Sequence, residues 1–159
     1  MAENQQNVTT SVQIVLPQHC NGYEHPRLFG GQIMAWIDVT GAVAARKYTR
    51  TNVTTVCVDN LSFMAAAHLN DVIVQEAVVT WTGNTSLEVR VDSYVERLNG
   101  SRYQVNRAYL VFVALGPDEK PVKVAPFTPQ TPEETAEWEA AERRRTIRLG
   151  RINGRRGIK

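Results

Sequence analysis

A single carboxylate, Asp38, interrupts a segment that is otherwise uncharged from Gln32 to Ala45, within RLFGGQIMAWIDVTGAVAARKY (Arg27 to Tyr48). An unpaired carboxylate in apolar surroundings costs several kcal/mol unless something compensates it. Asp38 falls about two turns past the start of an apolar helix, so it lies on the helix wall, where a shielded carboxylate can take a proton from water as a general base. The plainer alternative is an Asp satisfied by Thr40 or by a donor across a subunit contact. Gly30 and Gly31 open the same helix. Residues without side chains there let a ligand reach backbone N–H groups at the positive end of the helix dipole, which suits a carbonyl that develops negative charge. The alternative is close packing of the helix start against a strand. Asn21, in Asn21-Gly22, offers both a donor and an acceptor, enough to hold a water or a carbonyl, and equally suits plain turn chemistry.

The remaining reactive side chains carry weaker signals. His25 stands beside Pro26 in a polar loop, and His19 and His68 have no partner residue at a telling spacing. Cys20 and Cys57 form no CxxC or Cys/His pattern, which argues against a zinc site and fits a reducing compartment. No metal is expected. Met34, Trp36 and Ile37 read as core and pocket wall.

These residues need a scaffold. SVQIVL (Ser11 to Leu16) reads as a short strand closed by Pro17, and PQHCNGYEHPRL as a polar loop. The apolar helix follows, and after Arg46-Lys47 the period changes from 3.6 to 2. NVTTVCVDNLSF, DVIVQEAVVTWT, TSLEVRVDSYVER and RYQVNRAYLVFVAL read as four long strands of an antiparallel meander, with Gly83-Asn84 and Asn99-Gly100 as turn dipeptides. In the third of these strands Leu87, Val89, Val91 and Val95 share a core face, and Glu88, Arg90, Asp92 and Glu96 share the other. A helix apolar nearly all round needs a sheet curled about it, which makes an α+β fold of order β-α-β-β-β-β. The last strand is apolar on both faces from Ala108 to Leu115 and needs a second cover. TPEETAEWEAAERRR carries a helix start at Thr131-Pro132-Glu133-Glu134, with Trp138 as a candidate anchor, and a partner subunit is the other candidate.

At 159 residues the chain is long enough for one domain with its own core, and 43 % hydrophobic with 21 % charged residues fits a globular class. The N-terminal segment has no apolar h-region, and no apolar run is long enough to cross a membrane, so a cytoplasmic location is expected. The formal charge of +2 hides an asymmetry: eight Lys/Arg and no acids follow Glu142. This tail has no aromatic residue for base stacking and reads as a solvated helix end, dispensable for chemistry, rather than a nucleic-acid site.

Taken together, LPQHCNG, RLFGGQIMAWID, VCVDNLSF, GNTSLEVRV and AYLVFVALGPDEKPVKV, in this order and at these spacings, resemble the acyl-CoA thioesterase branch of the hot-dog fold. The resemblance covers about residues 12–124, with two more residues between the asparagine and the phenylalanine than the family tends to show. It implies a long central helix wrapped by a curled antiparallel sheet, pairing into a homodimer or a dimer-based higher oligomer such as a trimer of dimers. It also implies acyl-CoA as substrate, hydrolysed at the subunit interface with no cofactor, by a helix aspartate and a loop asparagine often supplied by different protomers. Asp38 and Asn21 are the matching positions. Through the resemblance Asn84, Thr85 and Ser86, otherwise a hairpin turn, become candidates for binding the pantetheine arm. The domain expectation is a flexible segment 1–10, a hot-dog thioesterase domain 11–125, and a C-terminal helix with basic tail 126–159. Two rivals use the same residues: a hot-dog hydratase or dehydratase working through His25 and Asp38, and a non-catalytic acyl-CoA-binding module.

Overall fold

The computed structural model describes residues 8–156. Strand β1 (Thr9–Ile14) is followed by a two-stranded hairpin of β2 (Cys20–Asn21) and β3 (Arg27–Leu28), then helix α1 (Gly30–Thr49). Four long strands come next: β4 (Asn52–Phe63), β5 (Val72–Thr82), β6 (Ser86–Glu96) and β7 (Arg102–Leu115). Helix α2 (Pro132–Arg156) ends the described chain. Of the segment expected to be flexible, residues 1–10, Thr9 and Thr10 instead belong to β1; residues 1–7 lie outside the described residues.

These four strands and β1 form one antiparallel sheet in the order β1-β5-β6-β7-β4. This corrects the four-strand meander. Only β5, β6 and β7 follow one another, and β4 pairs with β7 instead of β5. The reason lies in the joins. Gly83-Asn84 and Asn99-Gly100 close tight turns, whereas residues 64–71 contain no hairpin dipeptide. They run across the end of the sheet, anchored to the β2–β3 hairpin by Leu28 N–H to Ala67 O (2.9 Å) and Leu69 N–H to Pro26 O (3.3 Å).

One sheet face packs on α1. Ile33, Ile37, Ala44 and Ala45 of the helix meet Leu87, Val89, Val91, Leu110 and Phe112 of the sheet, all buried. Gly41 sets the helix-to-sheet distance, since a Cβ there would stand 3.2 Å from the Phe112 ring and 3.4 Å from Val91. The sheet does not cover the helix completely. Met34, Val39 and Val43 stay exposed on its far side, and Val39 is 62 % accessible.

The other sheet face, which carries Glu88, Arg90 and Asp92, is covered in part by α2. Glu88 is only 1 % exposed because Arg144 of α2 covers it, and Asp92 is buried among Arg90, Gln104 and Arg107 of the sheet. The Arg144 guanidinium grips Glu88 through Nη2 to Oε1 (2.7 Å) and Nε to Oε2 (3.0 Å), and donates again to Glu137 Oε1 at 2.9 Å. Arg90 Nη1 donates to Glu137 Oε2 at 2.7 Å, Arg107 and Gln104 hold Asp92, and Thr80 Oγ1 donates to Glu88 Oε1 at 2.7 Å. Arg144 also stacks 3.7 Å over the Tyr109 ring. Thr131 caps the start of α2 by accepting the Glu134 N–H. Trp138, the expected anchor, is only half-buried, and Ala141 is the apolar contact.

The basic tail is therefore not a spectator in its first turns. Arg144 and Arg148 point inward, the latter paired with Asp59 of β4, because both face buried carboxylates that need a cation.

Candidate active site

The start of α1 supplies the donors. Phe29 occupies the N-cap with no side-chain cap bond, and Gln32 N–H and Ile33 N–H both bond Phe29 O. Among the described residues Gly30 N–H and Gly31 N–H meet no protein acceptor, as expected of first-turn amides. What Gly31 makes room for is the exposed Phe29 ring rather than a strand: a Cβ there would fall 2.5 Å from that ring, which would have to swing aside. Gly30 faces a mostly apolar cavity of about 410 Å³, lined also by Leu28, Ile33, Phe63, Met64, Ala67 and Val105.

Asn21 lies on β2, exposed, paired in register with Arg27 of β3 just before the helix. The hairpin is fastened beside α1 by Phe29 N–H to His19 O (2.9 Å) and by the His19 ring set edge-on against Trp36, centroids 4.9 Å apart. The loop from Gly22 to Pro26 that carries His25 projects outward with His25 exposed, so His25 has no contact that would pair it with Asp38. Cys20 and Cys57 are both free thiols. Among the described residues no cluster of three metal-ligating side chains occurs.

Asp38 is half-buried on the border between the core side and the exposed side of α1, rather than enclosed by its own chain. Its partner is Thr55, whose Oγ1–H donates to Asp38 Oδ1 at 2.6 Å. Thr40, the donor weighed from the sequence, instead bonds Trp36 O (2.8 Å) and Gln75 Oε1 (3.0 Å). Thr55 belongs to β4 at a bulge, where the register against β7 shifts between Thr55 and Cys57. The bulge re-aims the strand beside the carboxylate. Sequence reasoning missed Thr55. Its only signal is one of two adjacent threonines in a strand, and nothing but the register tells which faces the helix.

A single chain does not bring all the expected residues together. Asp38 is eight residues beyond Gly30, about 12 Å along the helix axis. Asn21, Gly30 and Gly31 thus gather at one end of α1, with Asp38 and Thr55 further along. Asn84, Thr85 and Ser86 form the join between β5 and β6 at the opposite end. There Thr85 O accepts from Ala114 N–H and Asn84 O accepts from Val124 N–H, both at 2.9 Å. Ser86 follows the strand alternation of Glu88, so it sits on the α2 side of the sheet while Asp38 lies on the other.

Strand β4 is a sheet edge, twelve residues long, with Val56, Val58 and Phe63 exposed along it. Long apolar edges of this kind are templates for pairing with another strand. Two copies of β4 paired antiparallel would set the Phe63 end of one, beside its Gly30, against the Asn52–Thr55 end of the other.

Comparison with known proteins fixes the family. Residues 25–99 match the thioesterase superfamily. An uncharacterized acyl-CoA thioester hydrolase of Bacillus subtilis, YkhA, is 34 % identical over 80 % of this chain and 74 % of its own length. This chain belongs to the thioesterase superfamily. Mouse acyl-coenzyme A thioesterase 11 is 32 % identical over 89 % of the chain, which spans only 24 % of that longer protein. Among solved structures, an asparagine-to-alanine variant of the acyl-CoA hydrolase from Staphylococcus aureus in complex with coenzyme A superimposes with TM-score 0.87 at 28 % identity, covering 96 % of this chain and 92 % of that one. An apo-hexameric acyl-CoA thioesterase superimposes with TM-score 0.85 at 33 % identity over 92 % and 94 %. The helix wrapped by a five-stranded antiparallel sheet is thus the hot-dog fold that the sequence resemblance implied.

Proposed function

We propose that this protein hydrolyses acyl-CoA thioesters to free coenzyme A and a carboxylic acid, at sites shared between two copies of the chain. One observation carries this reading. A carboxylate held by Thr55 and the free amides of Gly30 and Gly31 occupy one helix yet lie about 12 Å apart along it, and pairing across β4 would set each against the complementary group of a second copy. Similarity to the hexameric thioesterase and to the coenzyme A complex supports both the assembly and the substrate class.

In this mechanism the thioester carbonyl points at the Gly30 and Gly31 amides of one subunit, and its acyl chain enters the cavity that Gly30 borders. The partner copy's aspartate takes a proton from water, positioned by the asparagine, as the water oxygen attacks the carbonyl carbon. The amides stabilise the oxyanion. Collapse breaks the C–S bond, and the thiolate leaves with the proton that the aspartate had taken. Neither a metal nor a redox cofactor enters these steps. The proposed setting is the cytoplasm; no helix among the described residues is long and apolar enough to cross a membrane.

Thiol release across a series of acyl-CoA substrates tests the reading. Each methylene that enters the cavity should raise kcat/KM about fourfold. The gain should stop once the chain has filled the apolar space that Gly30 borders. Tight acyl-CoA binding with no thiol release at any chain length would leave a binding module instead.

A further inference from the structure

The cavity beside Gly30 carries a single charge. Of the ten residues that line its 410 Å³, nine are apolar or glycine and the tenth is Arg27. A space of this kind takes an apolar ligand and orients it by the one polar group at its edge. Arg27 belongs to β3, where its register partner across the hairpin is Asn21. The other pair, Cys20 and Leu28, packs on the core, so alternation turns Asn21 and Arg27 outward on a shared face, where both are exposed. Three residues of chain separate Arg27 from Gly30, at most about 11 Å.

The cation is also uncommitted. Arg90, Arg102, Arg107, Arg144 and Arg148 each meet a carboxylate, whereas Arg27 meets none among the described residues. Glu24, on the same hairpin, is exposed, and Asp71 accepts at 2.7 Å the N–H of His68, the residue that bridges to Arg27.

We propose that Arg27 holds the carboxylate of a free aliphatic acid whose tail lies in this cavity, so that the acid released by hydrolysis stays on as an inhibitor of the next turnover. The inference rests on the acyl-CoA reading for the origin of that acid. In the substrate the acyl carbon lies against the Gly30 and Gly31 amides and bears no net charge. In the product the same carbon is a carboxylate. A cation at the cavity edge therefore gains its partner only after the C–S bond has broken. Guanidinium and carboxylate pair through two parallel hydrogen bonds, and the tail is already buried. A carboxylate at the far end of the acyl chain would lie among apolar residues instead, which the lining disfavours.

Titration of octanoate by calorimetry should show saturable binding to the wild type, at least tenfold tighter than butyrate, because four further methylenes enter the cavity. Octanoate should bind Arg27→Gln at least tenfold more weakly, the loss expected of one charge-assisted pair. The uncharged 1-octanol, with the same tail, should bind both proteins alike. In the thiol-release assay octanoate should compete with acyl-CoA, and its inhibition constant should rise at least tenfold in Arg27→Gln. Arg27→Lys keeps the charge without the fork and should fall between the two. Arg143→Gln, the same charge change at an exposed position of α2, should bind octanoate as the wild type does.

Equal binding of octanoate by the wild type and Arg27→Gln would leave Arg27 a solvated cation, and the proposal fails. Equal losses for octanoate and 1-octanol would make Arg27 a wall of the cavity rather than the partner of a carboxylate. A loss for free coenzyme A larger than that for octanoate would assign the cation to the coenzyme's phosphates and likewise overturn the proposal, as would the absence of saturable octanoate binding by the wild type. The titrations need no turnover, so they judge Arg27 even if the chain releases no thiol from any acyl-CoA.

Discussion

Asp38→Asn should lower the rate of thiol release from acyl-CoA by about a hundredfold or more, the loss expected when a general base is removed. Folding should survive the change. Asparagine keeps the size of the side chain, and its carbonyl oxygen can still accept the Thr55 hydroxyl that now sits 2.6 Å from Asp38. Acyl-CoA should bind as before, because the amides and the apolar cavity are untouched. Thr55 acts through the carboxylate, as a positioning residue. Thr55→Val should therefore cost about tenfold in kcat with little change of KM, and Thr55→Ser should restore most of it, since the serine hydroxyl can make the same bond. Pre-steady-state thiol release with one acyl-CoA measures all of these. A near wild-type rate in Asp38→Asn would reduce the carboxylate to a structural link.

The largest effect on stability is expected far from that site. Arg144→Ala should destabilise the fold by about 3–5 kcal/mol, because it leaves Glu88, 1 % exposed, without its bidentate cation. For a chain of this length that corresponds to a drop in Tm of about 10 °C. Replacing the pair with apolar residues, Arg144→Met with Glu88→Leu, should recover most of the loss. Acid should reveal the same network. Burial pushes the Glu137 carboxyl up, but hydrogen bonds and charge from Arg90, with a further bond from Arg144, outweigh it and hold the group below the usual glutamate range. A carboxyl depressed in the folded state stabilises the fold above its unfolded pKa. That contribution is lost as pH falls through the lower folded value. Thermal melts of wild type and Glu137→Gln should therefore diverge near neutrality and converge in acid. Removing everything after Glu142 should unfold the protein rather than trim it, since Arg144 and Arg148 both leave.

What could be read from the sequence was what local chemistry determines. Strands β5, β6 and β7 followed from alternation and from Gly83-Asn84 and Asn99-Gly100, and α1 from its period and its glycines. The placement of β4 was not legible. Its partner is non-local, and the join at residues 64–71 has no feature that marks a crossover. Alternation in β6 separated Leu87 from Glu88 correctly but could not say that Glu88 is buried, because the covering cation comes from a helix more than fifty residues later. Within the site, Asp38, Gly30 and Gly31 were legible from residue type alone, whereas Thr55 was not. The gap of about two turns between Asp38 and the helix start was legible as well, and in the account proposed here it is what makes a second copy necessary.

Hybrid oligomers test that necessity most directly. Asp38→Asn and Asn21→Ala chains, each poorly active alone, can be co-expressed with different tags and assayed together for thiol release. If one subunit supplies the aspartate and its partner the asparagine, every hybrid dimer holds one site with both lesions and one with neither. Random assembly should then recover about a quarter of wild-type activity. Activity at the weighted mean of the two parents would mean that both residues serve a site within one chain, and would contradict the shared site proposed here.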